Sequence, residues 1–200
     1  MMEHVHILGV SGSLRRASHN SGLLRAAAQV LPDDVSLEIF HLNGIPFYDG
    51  DVAATGEPES VVHLKERIAS ADALLIATPE YNYSISGVLK NAIDWASRPP
   101  KRSPLNGKPL AIMGAGGVMG TVRAQAQLRQ ILLASDLHLL NKPEVYVARS
   151  WEKFDSDGNL KDEATFQSIR TLIEALAAWT RLLNDVGMDL ATSHHELATH

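Results

Sequence analysis

Three stretches of this chain concentrate side chains able to hold or contact a small molecule. The first is Ser11-Gly12-Ser13-Leu14-Arg15-Arg16-Ala17-Ser18-His19-Asn20-Ser21, which follows the apolar run Val5–Val10 and is itself almost free of apolar side chains. A helical pattern opens at Ser21 and runs through Leu23, Leu24, Ala27, Val30 and Leu31. A buried strand, a hydroxyl-rich loop and a helix N-terminus together make an anion site. Backbone N–H groups, hydroxyl donors and the positive end of the helix dipole converge there. Ser11, Ser13 and Ser18 can donate to phosphate oxygens, Arg15 can add a charged contact, and Asn20 or Ser21 can cap the helix. An ordinary polar loop ahead of a capped helix accounts for the same residues equally well.

The second stretch, Pro79-Glu80-Tyr81-Asn82-Tyr83-Ser84-Ile85-Ser86-Gly87, packs two tyrosines, an asparagine and a glutamate beside an apolar run. Tyr81 and Tyr83 offer surface to a planar ring, while Asn82 and backbone amides offer hydrogen bonds to its polar edge. A tyrosine corner closing a sheet is the alternative. Glu80 reads as a group that orients nearby backbone or pairs across an interface, ahead of a role as general base. The third stretch, Gly114-Ala115-Gly116-Gly117-Val118-Met119-Gly120, approximates a dinucleotide turn. That fingerprint belongs to the first βαβ unit, however, and this stretch follows the fourth strand. Its glycines are read instead as letting backbone lie close to a flat ring.

The elements that must position these loops alternate in type. Apolar runs at 5–10, 73–78 and 110–113 read as strands buried on both faces, and 35–41 and 139–147 as further strands. Helical patterns cover 60–70, 87–95 and 121–134, and a final helix places Phe166, Ile169, Ile173, Leu176, Trp179 and Leu183 at steps of three and four. Residues 43–59 form a long loop whose start, Ile45, Phe47 and Tyr48, is expected to tuck against the core. Alternating strands and helices predict an α/β three-layer sandwich with a five-stranded parallel sheet in the flavodoxin-like order 2-1-3-4-5. In that order the three loops meet beyond the strand C-termini. A single domain over 1–187 and a polar C-terminal tail over 188–200 are expected.

Other chemistries are absent. No Lys-Ser or Lys-Thr pair follows spaced glycines as a Walker loop requires, and the first turn carries only Gly9 and Gly12. Hydroxyls in place of glycines suit a terminal phosphate dianion, which favours flavin mononucleotide (FMN) over NAD or ATP. No G-x-S-x-G elbow is present. The chain has no cysteine, which removes disulfides, thiolate nucleophiles and iron–sulfur clusters. Asp155, Asp157 and Asn159 open like a calcium loop, but Leu160 and Phe166 occupy the positions that need Gly and Glu, so a turn is expected. His194, His195 and His200 are expected to be solvated. A net charge of -5 gives no basic face for nucleic acid, and no apolar run is long enough for a bilayer. With the first strand opening so early, no signal peptide is expected, and the cytoplasm is the expected compartment.

With these residues in view, the chain resembles the NADPH-dependent FMN reductase family, in its quinone and chromate reductase branch. The resemblance rests on Gly12-Ser13-Leu14-Arg15 with Ser18 and Asn20, on Pro79 to Ser84, and on Gly87-Val88-Leu89-Lys90-Asn91-Ala92-Ile93-Asp94-Trp95. Leu128 to Leu132 and Asn141 to Glu144 add to it. It implies FMN bound without a covalent link, NADPH or NADH as electron donor, and a homodimer or homotetramer. It also implies that Ser11, Ser13, Leu14, Arg15, Ser18, Asn20 and Ser21 hold the phosphate. Pro79, Glu80, Tyr81, Asn82, Tyr83, Ser84, Gly114, Gly116 and Gly117 would then surround the ring. Hydride would pass to the flavin and on, by a ping-pong scheme, to quinones, azo compounds, metal oxyanions such as chromate, or free flavin. No catalytic side chain and no metal are expected. A flavodoxin-type electron carrier or a flavin-binding regulatory protein is the alternative. Arg15, Arg16 or Arg123 could meet a 2′-phosphate, and Trp95 is expected to pack against a twofold mate. One departure stands out: Ser86 occupies a position where the family usually has Pro, and serine should cap the helix that follows.

Overall fold

In the computed structural model, which describes residues 3–197 and their side chains through residue 186, the apolar runs lie side by side as a parallel sheet. β1 (Val5–Ser11), β3 (Ala73–Ala77) and β4 (Pro109–Ala115) fill its centre. Both central neighbours of the third stretch, β3 and β4, are buried at every position, as strands covered on two faces must be. β2 (Val35–Phe40) lies outside β1, so the order is β2-β1-β3-β4.

The last strand is split. β5 (His138–Leu139) pairs with Pro109 and Leu110, whereas β6 (Val145–Val147) pairs with Met113 to Ala115. Between them lies Asn141-Lys142-Pro143, and a proline has no N–H to give to a ladder. Both pieces run along the same edge of β4, so the expected order 2-1-3-4-5 is the observed one.

Helices cover both faces. α1 (His19–Ala28) and α7 (Glu163–Leu197) bury Leu23, Leu24, Ile169, Ile173 and Leu176 against one side. α3 (Glu59–Ser70), α4 (Gly87–Ala96) and α5 (Val122–Leu132) bury Leu64, Ile68, Leu89, Ile93, Leu128 and Leu132 against the other. Two short helices complete the chain, α2 (Gly50–Thr55) inside the long loop and α6 (Ser150–Lys153) after β6. The expected tail at 188–200, with its three histidines, falls where side chains lie outside the described residues. Among the described residues, no helix is long and apolar enough to cross a membrane.

Three local expectations are corrected. α1 starts at His19, before the expected Ser21, because the Ser18 hydroxyl accepts the Ser21 N–H at 3.3 Å and is the cap. Trp95 is fully buried in its own chain, and its Nε1 donates to the Pro46 carbonyl at 2.8 Å, so it has no face for a twofold mate. Asn91 Nδ2 donates to the same carbonyl at 2.8 Å. Pinned there, the loop turns Tyr48 inward onto Trp95, ring centroids 4.9 Å apart, and leaves Phe47 84% exposed.

Candidate functional site

The loop after β1 is built on its own hydroxyls. Ser21 Oγ donates to Ser11 Oγ at 3.0 Å, and the Ser13 N–H points at the same oxygen from 3.3 Å. Ser13 Oγ accepts the Arg15 N–H at 3.4 Å. Ser11, Ser18 and Ser21 are buried, Ser13 is half-buried, and Leu14 and Arg15 face solvent. Arg15 has no carboxylate partner among the described residues. Ser18, which accepts the Ser21 N–H, keeps its own proton to donate.

Asn20 is placed differently from the other loop residues. Its Nδ2 donates to the Ala115 carbonyl at 3.0 Å and its Oδ1 accepts the Ala115 N–H at 2.9 Å. Both ends of a buried side chain are thereby spent on tying α1 to the end of β4, and no sequence signal named that target. His19 is a further resident of this loop. Its ring stacks on Phe154 at 4.4 Å and its Nδ1 lies 2.9 Å from Ser150 Oγ. Burial, and then the Arg15 charge, hold its pKa below the usual imidazole range.

The loop after β3 makes a tight turn. Tyr81 and Ser84 exchange backbone hydrogen bonds of 2.9 Å in each direction, with Asn82 at φ 50° and Tyr83 at φ 66° between them. Two central residues with positive φ are the pattern of a type I′ turn, which usually takes Asn or Gly. A tyrosine there is strained by roughly 1–2 kcal/mol. Tyr81 and Tyr83 are 53% and 66% exposed, which excludes a tyrosine corner.

Glu80 anchors this turn. Its Oε2 accepts the N–H groups of Arg123 at 2.9 Å and Ala124 at 3.1 Å, and its Oε1 takes Arg123 Nη1 at 3.3 Å. α5 has no side-chain cap of its own, so Glu80 caps it from another loop. With its oxygens occupied by three donors, Glu80 orients backbone and is not placed to act as a base. The Arg123 guanidinium in turn lies 4.3 Å over the Tyr83 ring, and Ser84 Oγ donates to Gln127 Oε1 at 2.6 Å.

In the loop after β4 the glycines divide. A Cβ on Gly114 would meet Thr121 Oγ1 at 2.0 Å and the Thr78 carbonyl at 2.5 Å, and one on Gly116 would meet the Gly120 carbonyl at 2.3 Å. Packing inside the protein therefore accounts for these two. Gly117 alone has open space on that side. With Val118, Met119 and Gly120 it faces Glu80, Asn82, Tyr83 and Arg123 across a cavity of about 660 Å³. A larger groove of about 1220 Å³ lies away from these loops, between α4 and the end of α5, lined by Lys90, Asp94, Arg98 and Ile131 among others.

The three loops thus meet at the C-terminal edge of β1, β3 and β4, where ligands bind in open α/β sheets. Their donor set fits a flavin mononucleotide. Hydroxyl and cationic donors at the N-terminus of α1 suit a phosphate, and exposed aromatic and backbone surface beside a cavity suits a ring.

Comparison with known proteins agrees with this geometry. The sequence profile of the NADPH-dependent FMN reductase family matches residues 5–152. The chain is 50% identical over 184 residues to an NAD(P)H-dependent FMN reductase of Pseudomonas aeruginosa, covering 92% of this chain and 99% of that one. It is 44% identical to a 2-hydroxy-1,4-benzoquinone reductase of a Burkholderia species, covering 86% and 94%. Among solved structures it is similar to FerB, a flavoenzyme NAD(P)H:(acceptor) oxidoreductase of Paracoccus denitrificans. The TM-score is 0.80 at 36% identity, with 88% of this chain and 97% of that one covered.

Proposed function

This chain belongs to the NADPH-dependent FMN reductase family, and on that premise we propose that it is an FMN-dependent NAD(P)H oxidoreductase with quinones as acceptors. The observation that carries the reading is the meeting of a buried hydroxyl loop with a strained, exposed tyrosine turn at one sheet edge. Ser11, Ser13, Ser18 and Ser21, with the α1 N-terminus and Arg15, would hold the phosphate. Asn20 would act at one remove, by fixing Ala115. Pro79 to Ser84 and Gly117 would border the ring, while Gly114 and Gly116 let β4 and its loop pack closely enough to bring Gly117 there.

Bound FMN supplies two-electron transfer between a nicotinamide and an acceptor. The protein's own contribution is placement. Glu80 holds the tyrosine turn against α5, and Arg123 holds Tyr83 over the cavity. Val118 and Met119 form an exposed apolar rim that a flat donor or acceptor can cover. This cavity lies between the second and third loops, and donor and acceptor would use it in turn, a ping-pong scheme. An open cavity of this kind would also admit azo compounds, chromate or free flavin. The enzyme would work as a homodimer or homotetramer.

Initial rates of NAD(P)H oxidation by the FMN-loaded protein, with 1,4-benzoquinone varied at several NAD(P)H concentrations, test this. Parallel double-reciprocal lines are expected. Oxidation no faster than with free FMN would reduce the protein to an electron carrier or a flavin-binding regulator, and intersecting lines would remove the shared site.

A further inference from the structure

Ser86, just ahead of α4, joins two of the site loops. Ser86 is 3% exposed, and its hydroxyl donates to the Gly12 carbonyl at 2.6 Å while accepting the Leu89 N–H at 3.3 Å. Gly12 is held on its other side as well, by its N–H to the Ala77 carbonyl at 2.9 Å. A Cβ there would come within 2.9 Å of Pro79 Cδ and 3.3 Å of Leu89 Cδ2. The serine loop thus rests on the tyrosine loop and on α4 at this one residue.

Peptide planarity gives this contact a consequence. The Gly12 carbonyl and the Ser13 N–H lie in one rigid plane and point in opposite directions within it. Fastening the carbonyl to Ser86 turns the N–H toward Ser11 Oγ, the oxygen that also takes the Ser21 hydroxyl. We propose that Ser86 is a positioning residue for phosphate recognition. It locks the Gly12–Ser13 peptide so that an N–H, and not a carbonyl oxygen, faces the hydroxyl cluster. Without the Ser86 hydroxyl, the Gly12 carbonyl has no hydrogen-bond donor among the described residues. A rotated peptide would then turn the negative end of its dipole toward a phosphate dianion. Ser86 therefore contributes to selecting FMN over riboflavin, an inference that rests on the FMN reading above.

Two substitutions remove the hydroxyl. Ser86→Ala is the direct one. Ser86→Pro keeps the chain path, because Ser86 already sits at φ -69° and ψ 150°, values a proline adopts, so it decides the matter if the alanine variant fails to fold. Apo protein is titrated with FMN and with riboflavin, following quenching of flavin fluorescence. Loss of one hydrogen bond that orients a donor predicts FMN binding about three- to tenfold weaker, with riboflavin binding changed less than about twofold. Equal loss for both flavins, or unchanged FMN affinity beside a lowered melting temperature, would make Ser86 a helix cap only and overturn the proposal. A wild-type protein that binds neither flavin would instead overturn the FMN reading itself.

Discussion

The serine loop and the tyrosine turn end neighbouring strands of one sheet, yet they meet solvent in opposite ways. The serine loop buries Ser11, Ser18 and Ser21, caps its own helix and joins the Ser21 hydroxyl to Ser11. The tyrosine turn is exposed, holds two non-glycine residues at positive φ, and is kept in place by a carboxylate pinned to α5. The first is a rigid receptacle whose strength lies in pre-set donors. The second is a strained surface kept open to visitors. Anchoring and reaction are thereby separated, and substitutions should be able to disturb either one alone.

Arg15→Ala should have the largest effect, confined to anchoring. Losing a charge-assisted contact of roughly 1.5–3 kcal/mol weakens FMN binding on the order of ten- to a hundredfold. Riboflavin affinity should hardly change, and saturating FMN should restore turnover. A turnover loss that excess FMN cannot restore would put Arg15 on the reaction side and dissolve the separation.

Glu80→Ala addresses the mounting of the turn. It leaves two α5 N–H groups and Arg123 without their acceptor, at a cost of about 1–2 kcal/mol in thermal stability. The ratio of FMN to riboflavin affinity should stay at the wild-type value, since the phosphate donors are untouched. A changed ratio would show that the two loops act as one unit.

Tyr83→Gly sharpens the contrast further. Glycine accepts positive φ freely, so the backbone should keep its turn while the ring and its Arg123 contact are lost. The KM for a quinone should rise about two- to tenfold, the worth of one aromatic stacking contact, with kcat and FMN affinity near wild type. An unchanged KM would remove Tyr83 from the acceptor surface.

The smallest effect belongs to His19. Its pKa in the folded protein lies below the usual value of 6.5, through burial first and the Arg15 charge second. The unfolded chain then binds the proton more readily. The stability His19 contributes is present above pH 6.5 and lost as the pH falls through the lowered pKa. His19→Phe keeps a ring stacked on Phe154, so melting temperatures followed over about pH 5 to 7 should flatten relative to wild type. An unaltered pH profile would show that His19 has no part in it.

What was legible in the sequence follows from how local each cause is. The sheet order could be read because Val5–Val10, Ala73–Thr78 and Leu110–Met113 are continuous apolar runs separated by amphipathic helices. The three loops could be found because composition marks them. What the side chains do inside those loops depends on partners far along the chain. Asn20 has Ala115 as its target, Glu80 has Arg123 and Ala124, and Gly22 is required by the Gly158 carbonyl, which a Cβ would meet at 2.0 Å. Trp95 looked like an interface residue because nothing local shows that Pro46 folds back onto it. Ser86 was the exception. A serine ahead of a helical pattern marked it as a cap, although nothing local pointed to the bond to Gly12.

The central claim is that the two regions together hold an FMN that exchanges electrons with visitors at the cavity. The visible spectrum of the purified protein, supplied with FMN and freed of excess, tests it in one anaerobic cuvette. The account predicts a yellow protein with one FMN per chain, bleached by one equivalent of NAD(P)H and recoloured by one equivalent of 1,4-benzoquinone. A protein that retains no FMN, or retains it but is not bleached by either nicotinamide, would contradict the account.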